Sequence, residues 1–476
     1  MDNIGIFSNL SVIAIFLPLF FAVYLFCARL SLTFVNKKIL NWGCCFFNLV
    51  SFILFCLADF FALDRSQITK LDFNFFTIDK FSLNFGIFVD DTNIAYLLFT
   101  SFLCLILSLY SKFYFDKKKQ FIFTKQRYYI FMSAISFLTY FFIASENLFQ
   151  GVIALFLQSV LILSFAYFDI FKNPTNHNIT RFHRIALIGN FALLFAALIL
   201  FKYAILSQGY IESNSLNYNE LNVLVSYTYG ICSALEFKVM ALCFVLAFMS
   251  RLVVFPFSCY YSFFANSSDI LYLVICLLTN NIVGIFLFLK FLPILELGSG
   301  YVLFFEIFIA IGILLSLISI LFERNVKIIF GYLLSAINSI FIILFLLLDS
   351  DVLLIQKIYF ALNILFAALL MYLFFKDKIN FPRRFINKQV GFVLEKTHII
   401  IFETIPDKIS RILNVIDEKL IQNISPFLVK LFNYFISLIV LKITKTNGIN
   451  NVKNILITFA IFALIAIFIA LFGGVK

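Results

Sequence analysis

Apolar residues run in blocks of about twenty along most of this chain, and polar residues gather in the short stretches between blocks. A helix needs about 20 apolar residues to cross the hydrocarbon core of a bilayer. Runs of that kind fall at 8–28, 40–62, 92–111, 128–144, 148–170, 185–206, 237–257, 269–292, 301–322, 327–348, 352–375 and 453–473. They predict an all-α polytopic membrane protein with about twelve transmembrane helices. Two segments depart from the pattern. Residues 72–90 alternate apolar and polar positions (Phe73, Phe75, Phe76, Ile78), which predicts a short hairpin between the second and third spans. Residues 377–450 interleave Ile405, Ile409, Ile412 and Leu413 with Asp407, Lys408, Arg411, Asp417, Glu418 and Lys419. That is the pattern of an amphipathic segment lying along a membrane surface or against partner helices. The chain therefore divides into an N-terminal helix pair (1–62), a hairpin loop (63–91), a helix bundle (92–376), a lateral segment (377–450) and a closing transmembrane anchor (451–476).

Basic residues give the spans a direction, because short cytoplasmic loops carry an excess of Lys and Arg. Arg29, Lys37 and Lys38 follow the first span, Lys117, Lys118, Lys119 and Lys125 the third, and Lys172, Arg181 and Arg184 the fifth. Arg324 and Lys327 follow the ninth, and Lys376, Lys378, Arg383 and Arg384 the eleventh. All follow odd-numbered spans. Glu212, Glu220, Asp349 and Asp351 lie in loops of the other set. Both termini are therefore expected on the outer side of a bacterial inner membrane, or of a mitochondrial inner membrane if the chain is organellar. The N-terminus, Met1 to Gly5, carries no basic leader, so the first run is expected to be a retained span.

Composition agrees with this class and excludes others. The chain is 63% hydrophobic and 13% charged, with a mean hydropathy of +1.03. A soluble domain is about half apolar and a quarter charged. The nine cysteines lie in or beside apolar runs, with no CxxC pair and no clustering with histidine. An iron–sulfur or zinc site is thereby disfavoured, and buried thiols acting as small hydrophobes are expected. No phosphate loop or dinucleotide fingerprint occurs. The net charge of +11 is spread over short loops and the lateral segment, so nucleic acid is not an expected partner. No cofactor is expected.

Candidate chemistry is limited to polar groups inside the spans. Arg251 stands late in an apolar run and precedes Phe255-Pro256, which would break a helix. A guanidinium at membrane depth usually faces a bundle interior or a water-filled path, and broken helices are where transporters keep ion sites. The alternative is an Arg at a helix end that snorkels to the interface. Asn280 and Asn281 sit mid-span, as do Ser335, Asn338, Ser339 and Asn363, either lining residual water or joining helices. Lys238, with Glu236 close by, opens its span as an interfacial charge or a path residue. Glu306 and Lys357 lie one to two turns inside theirs and are the remaining titratable candidates. His177 and His183 fall in a loop and are assigned no role.

Several stretches, in order, resemble the antiporter-like subunits of respiratory NADH:quinone oxidoreductase, most nearly the largest of them. These are Phe88-Val89-Asp90, Leu109-Tyr110-Ser111 through Tyr114, Ala144-Ser145-Glu146-Asn147-Leu148, Gly189-Asn190, Met249-Ser250-Arg251 through Phe255-Pro256, and Asn325-Val326-Lys327 through Tyr332. The resemblance covers roughly residues 60–476 and implies a membrane-arm subunit with no redox centre. Its expected partners are the other membrane subunits of that enzyme and the lipid bilayer. The family moves ions through charge pairs, and this chain departs from them. The family's Glu position falls at Phe156, its Lys position at Arg251 and its His position at Cys276. Proton relay needs groups that change protonation near neutral pH, and none of these does. About four later spans of the family also have no counterpart. The resemblance thus implies an impaired proton relay. Two other readings stay open: a subunit of a multicomponent cation/proton antiporter, and a non-transporting scaffold derived from the same fold.

Overall fold

The computed structural model describes residues 2–30, 35–62, 69–78, 81–117, 122–170, 176–206, 216, 218, 221–264, 267–297, 299–323, 325–347 and 352–375. The predicted lateral segment 377–450 and the span 453–473 lie outside them. The helices are α1 (Asp2–Leu30), α2 (Lys37–Phe61), α3 (Asp91–Lys117), α4 (Ile122–Ile143), α5 (Leu148–Ile170), α6 (Asn176–Leu206), α7 (Leu221–Ile231) and α8 (Ala234–Leu252). A 3-10 turn, Ser258–Phe264, follows. Then come α9 (Asp269–Leu273), a π-wound stretch Val274–Ile282, α10 (Val283–Glu296), α11 (Ser299–Phe322), α12 (Val326–Leu347) and α13 (Val352–Phe375). The fold is all-α and integral to a membrane: among the described residues, eight helical stretches are long and apolar enough to cross one.

Burial follows composition. The stretch from Ile270 to Phe288 is buried inside the protein. A helix that is apolar all round belongs in a core, and here the bundle itself supplies the cover. By contrast α13 and α2 keep large apolar side chains outside, among them Leu354, Leu365 and Phe60. In a bilayer these face lipid.

The predicted hairpin is present. β1 (Thr69–Ile78) pairs antiparallel with β2 (Phe81–Val89), with a register shift between Asn74 and Phe76. It is tied to the corner between α4 and α5: Phe88 N donates to Ala144 O at 2.9 Å, and Gly86 N donates to Gln150 Oε1 at 2.9 Å. Asp90 then starts α3, its Oδ1 accepting from Asn93 N at 2.6 Å and Thr92 Oγ1 at 2.7 Å, as a helix N-terminus requires. The N-terminal pair is anchored by buried side-chain bonds. Gln126 of α4 donates to Leu25 O at 2.8 Å, and Ser51 of α2 to Ala14 O at 2.9 Å.

The structure changes two sequence expectations. The span predicted at 237–257 ends at Leu252, and the chain resumes as a 3-10 turn at Ser258. The region before it holds the short helix α7, whose eleven residues are too few to cross a bilayer and so gave no signal in a scan for spans.

Candidate functional site

The break after α8 is the centre of the site. Ser233 caps the start of α8 by accepting from Glu236 N. At the other end Val253 takes a left-handed conformation, φ 57°. A β-branched residue there costs about 1–3 kcal/mol and persists only where its surroundings hold it. Those surroundings come from α12. Asn338 Nδ2 donates to Leu252 O at 2.8 Å, and Ser335 Oγ donates to Val253 O at 2.6 Å. Both carbonyls are freed by the end of the helix, and in an apolar interior each needs a partner. Gly284 of α10 allows the close approach: a Cβ there would lie 2.8 Å from Leu252 N. The Phe255–Pro256 peptide bond is cis.

Arg251 sits one residue before this end and is buried, 3% exposed. Its guanidinium points across to α5 and α6. It donates to Asn190 Oδ1 at 2.6 Å, Ser159 Oγ at 3.1 Å, Gln158 Oε1 at 3.3 Å and Leu155 O at 3.4 Å. Each acceptor is itself held: Gln158 Nε2 donates to Thr139 Oγ1 at 3.0 Å, and Asn190 Nδ2 to Ser159 Oγ at 2.9 Å. All four acceptors are neutral. Among the described residues no carboxylate pairs with Arg251, and its Nε finds no acceptor.

A second polar cluster adjoins the first through the peptide of Leu252. Asn338 Nδ2 also donates to Asn281 Oδ1 at 3.0 Å. Asn281 Nδ2 donates to Asn363 Oδ1 at 2.8 Å, and Asn363 Nδ2 to Tyr359 O at 2.9 Å. Tyr359 OH donates to Asn338 Oδ1 at 3.0 Å, and Tyr261 OH to Asn281 Oδ1 at 3.2 Å. Asn281 belongs to the π-wound stretch Val274–Ile282, a winding often found at functional sites. The result is one polar axis through the bundle: α4, α5 and α6, then Arg251, then α12, the π stretch and α13. Its members are amides, hydroxyls and carbonyls, with a single cation.

The predicted residues divide accordingly. Arg251 and Asn281 lie on this axis. Asn280 is buried beside it and accepts from Thr279 Oγ1 at 3.4 Å. Cys276 is buried one helical turn away on the same stretch. The ring of Phe156 packs edge-on against Phe191, centroids 5.2 Å apart; the α5 side chains that reach Arg251 are Gln158 and Ser159. Lys238 is exposed, and about 20 Å of α8 separates it from Arg251. Its neighbour Glu236 pairs with Lys202, at 2.8 Å, and with Tyr203. Glu306 is half-buried on α11, and Lys357 is exposed on α13. Sequence reasoning missed Gln158, Ser159 and Asn190 as partners of Arg251. The available signal was polar residues at mid-span depth on two neighbouring helices.

It also missed two ion pairs at the ends of the stretch 269–290. Lys327 Nζ lies 2.8 Å from Asp269 Oδ1, and Lys290 Nζ lies 3.5 Å from Asp90 Oδ2.

Fold and site together define a polytopic helical membrane protein built around a broken helix with a buried cation at the break. No family model matches the chain, and no curated protein does. Among solved structures, the fold is similar to that of a chain in the respiratory complex I of Thermus thermophilus, determined with bound NADH. The TM-score is 0.58 over 76% of this chain and 70% of that one, at 14% sequence identity. At that identity the likeness is one of fold.

Proposed function

We propose that this chain is a membrane-arm, antiporter-like subunit, or a divergent paralogue of one, of a proton-translocating NADH:quinone oxidoreductase, and that its central site does not relay protons. The fold likeness to a complex I chain supports the first part, together with the ordered motifs from Phe88 to Tyr332. One observation carries the second: the cation at the break is an arginine held by four neutral oxygens. Relay needs a group that releases and regains a proton near neutral pH, and arginine does not. Here Arg251 acts as a fixed positive charge. The saturated amide network around Asn338 favours a further reading, a non-transporting scaffold that keeps the bundle and positions neighbouring subunits.

The test is a tagged pull-down from native membranes in mild detergent, with partners identified by mass spectrometry. Recovery of the other membrane subunits of NADH:quinone oxidoreductase is the expected result. Recovery of multicomponent antiporter subunits, or of no partner, would overturn the assignment.

A further inference from the structure

A groove of about 420 Å³ lies between α2, α3 and α13, at the end of the bundle that carries the β1–β2 hairpin. Phe52, Ala95, Phe102, Phe360 and Ile364 line it, and Lys357 stands in its wall near the start of α13. The eight residues from Lys357 to Ile364 carry it about 10 Å down the helix. Around it α13 presents exposed apolar side chains, Leu354, Ile358 and Leu365. Lys357 is exposed, and no carboxylate among the described residues forms an ion pair with it.

We propose that the groove seats an acyl chain of a phospholipid from the leaflet on the hairpin side, with Lys357 holding the phosphate. The two halves of the feature match the two halves of that molecule. The lining is apolar and opens sideways to the hydrocarbon. The cation lies on a flexible stem little more than a turn inside its helix, within snorkelling reach of the headgroup layer. A neighbouring spanning helix is a poorer occupant: it crosses about 30 Å of hydrocarbon, and the groove offers about 10 Å at one end. This seat does not rest on the proposed function.

The experiment is native mass spectrometry of the purified full chain, titrated with phosphatidylglycerol and, separately, with diacylglycerol of the same acyl chains. Phosphatidylglycerol is expected to bind about fivefold more tightly, the worth of one basic residue near the headgroups. Lys357→Gln, on an exposed side chain, is expected to erase that preference while leaving diacylglycerol binding unchanged. Ala95→Phe, which fills the groove, is expected to abolish binding of both. An undiminished preference in Lys357→Gln would overturn the proposal, as would wild-type binding in a monodisperse Ala95→Phe protein. So would a cross-link from Lys357→Cys to another protein in native membranes.

Discussion

The stretch from Asp269 to Lys290 meets charge at its two ends and none at its buried middle. At one end Asp269 pairs with Lys327; at the other Lys290 pairs with Asp90. Between them lie Asn280 and Asn281, bonded only to neutral groups. The physical reason is the dielectric. Near the ends, water and headgroups screen a charge and share its solvation; at mid-membrane, desolvating two ions costs several kcal/mol each. A bundle needing rigidity but no proton movement can use amides at its centre and keep ion pairs for its rims. Arg251 is the exception at the centre, and it is accommodated by four converging acceptors rather than by a counter-charge.

Substitutions at the two kinds of place should therefore differ in size. The largest effect is expected at Asn338. Asn338→Leu strips a partner from Leu252 O, Asn281 Oδ1 and Tyr359 OH together; Asn281 Oδ1 keeps Tyr261 OH, and each of the other two, left stranded, costs about 1 kcal/mol or more in a membrane interior. A loss of about 2–4 kcal/mol in detergent unfolding is predicted; a loss below that of a rim substitution would break the comparison. Next comes Asn190→Leu, which removes the shortest bond to the buried guanidinium. A loss of about 2 kcal/mol is predicted, and the double variant Asn190→Leu/Arg251→Met should recover part of it, since the stranded cation is then gone. Additive losses in that cycle would show that the two side chains do not interact. At the rim, Lys327→Gln is predicted to cost about 1 kcal/mol, partly made up by the bond that Gln can offer to Ser267 O. Lys290→Gln should cost least, under about 1 kcal/mol, because the pair with Asp90 is longer, 3.5 Å against 2.8 Å. Raising the salt concentration should shrink both rim effects and leave the central ones unchanged.

Among the described residues most spans were legible in the sequence as apolar runs of bilayer length, because lipid favours a helix that satisfies its own backbone groups; the run 237–257 is the exception, leaving the helix at Leu252. The hairpin was legible from its alternation, and Phe255-Pro256 signalled a break, though the helix ends earlier than the predicted span, at Leu252. What the central cation touches was not legible. Gln158 and Ser159 read as minor interruptions of an apolar run, and only the packing of α5 and α6 against α8 turns them toward Arg251. The ion pair of Lys290 with Asp90 joins residues 200 positions apart, and no local pattern encodes it. Sequence reading could locate polar residues by depth in the membrane. It could not pair them, since pairing depends on which faces of neighbouring helices meet.

The most direct test of a fixed, non-relaying centre is ion flux through the purified chain in liposomes under an imposed membrane potential, read with proton- and sodium-sensitive dyes. The account predicts that the wild-type protein conducts no more than protein-free liposomes. It predicts the same for Arg251→Lys, which restores a titratable group at the family's Lys position, and for Gln158→Glu, which introduces one beside it. A wild-type flux above background that Arg251→Gln abolishes would contradict it, because ion movement would then depend on a guanidinium that keeps its proton at neutral pH.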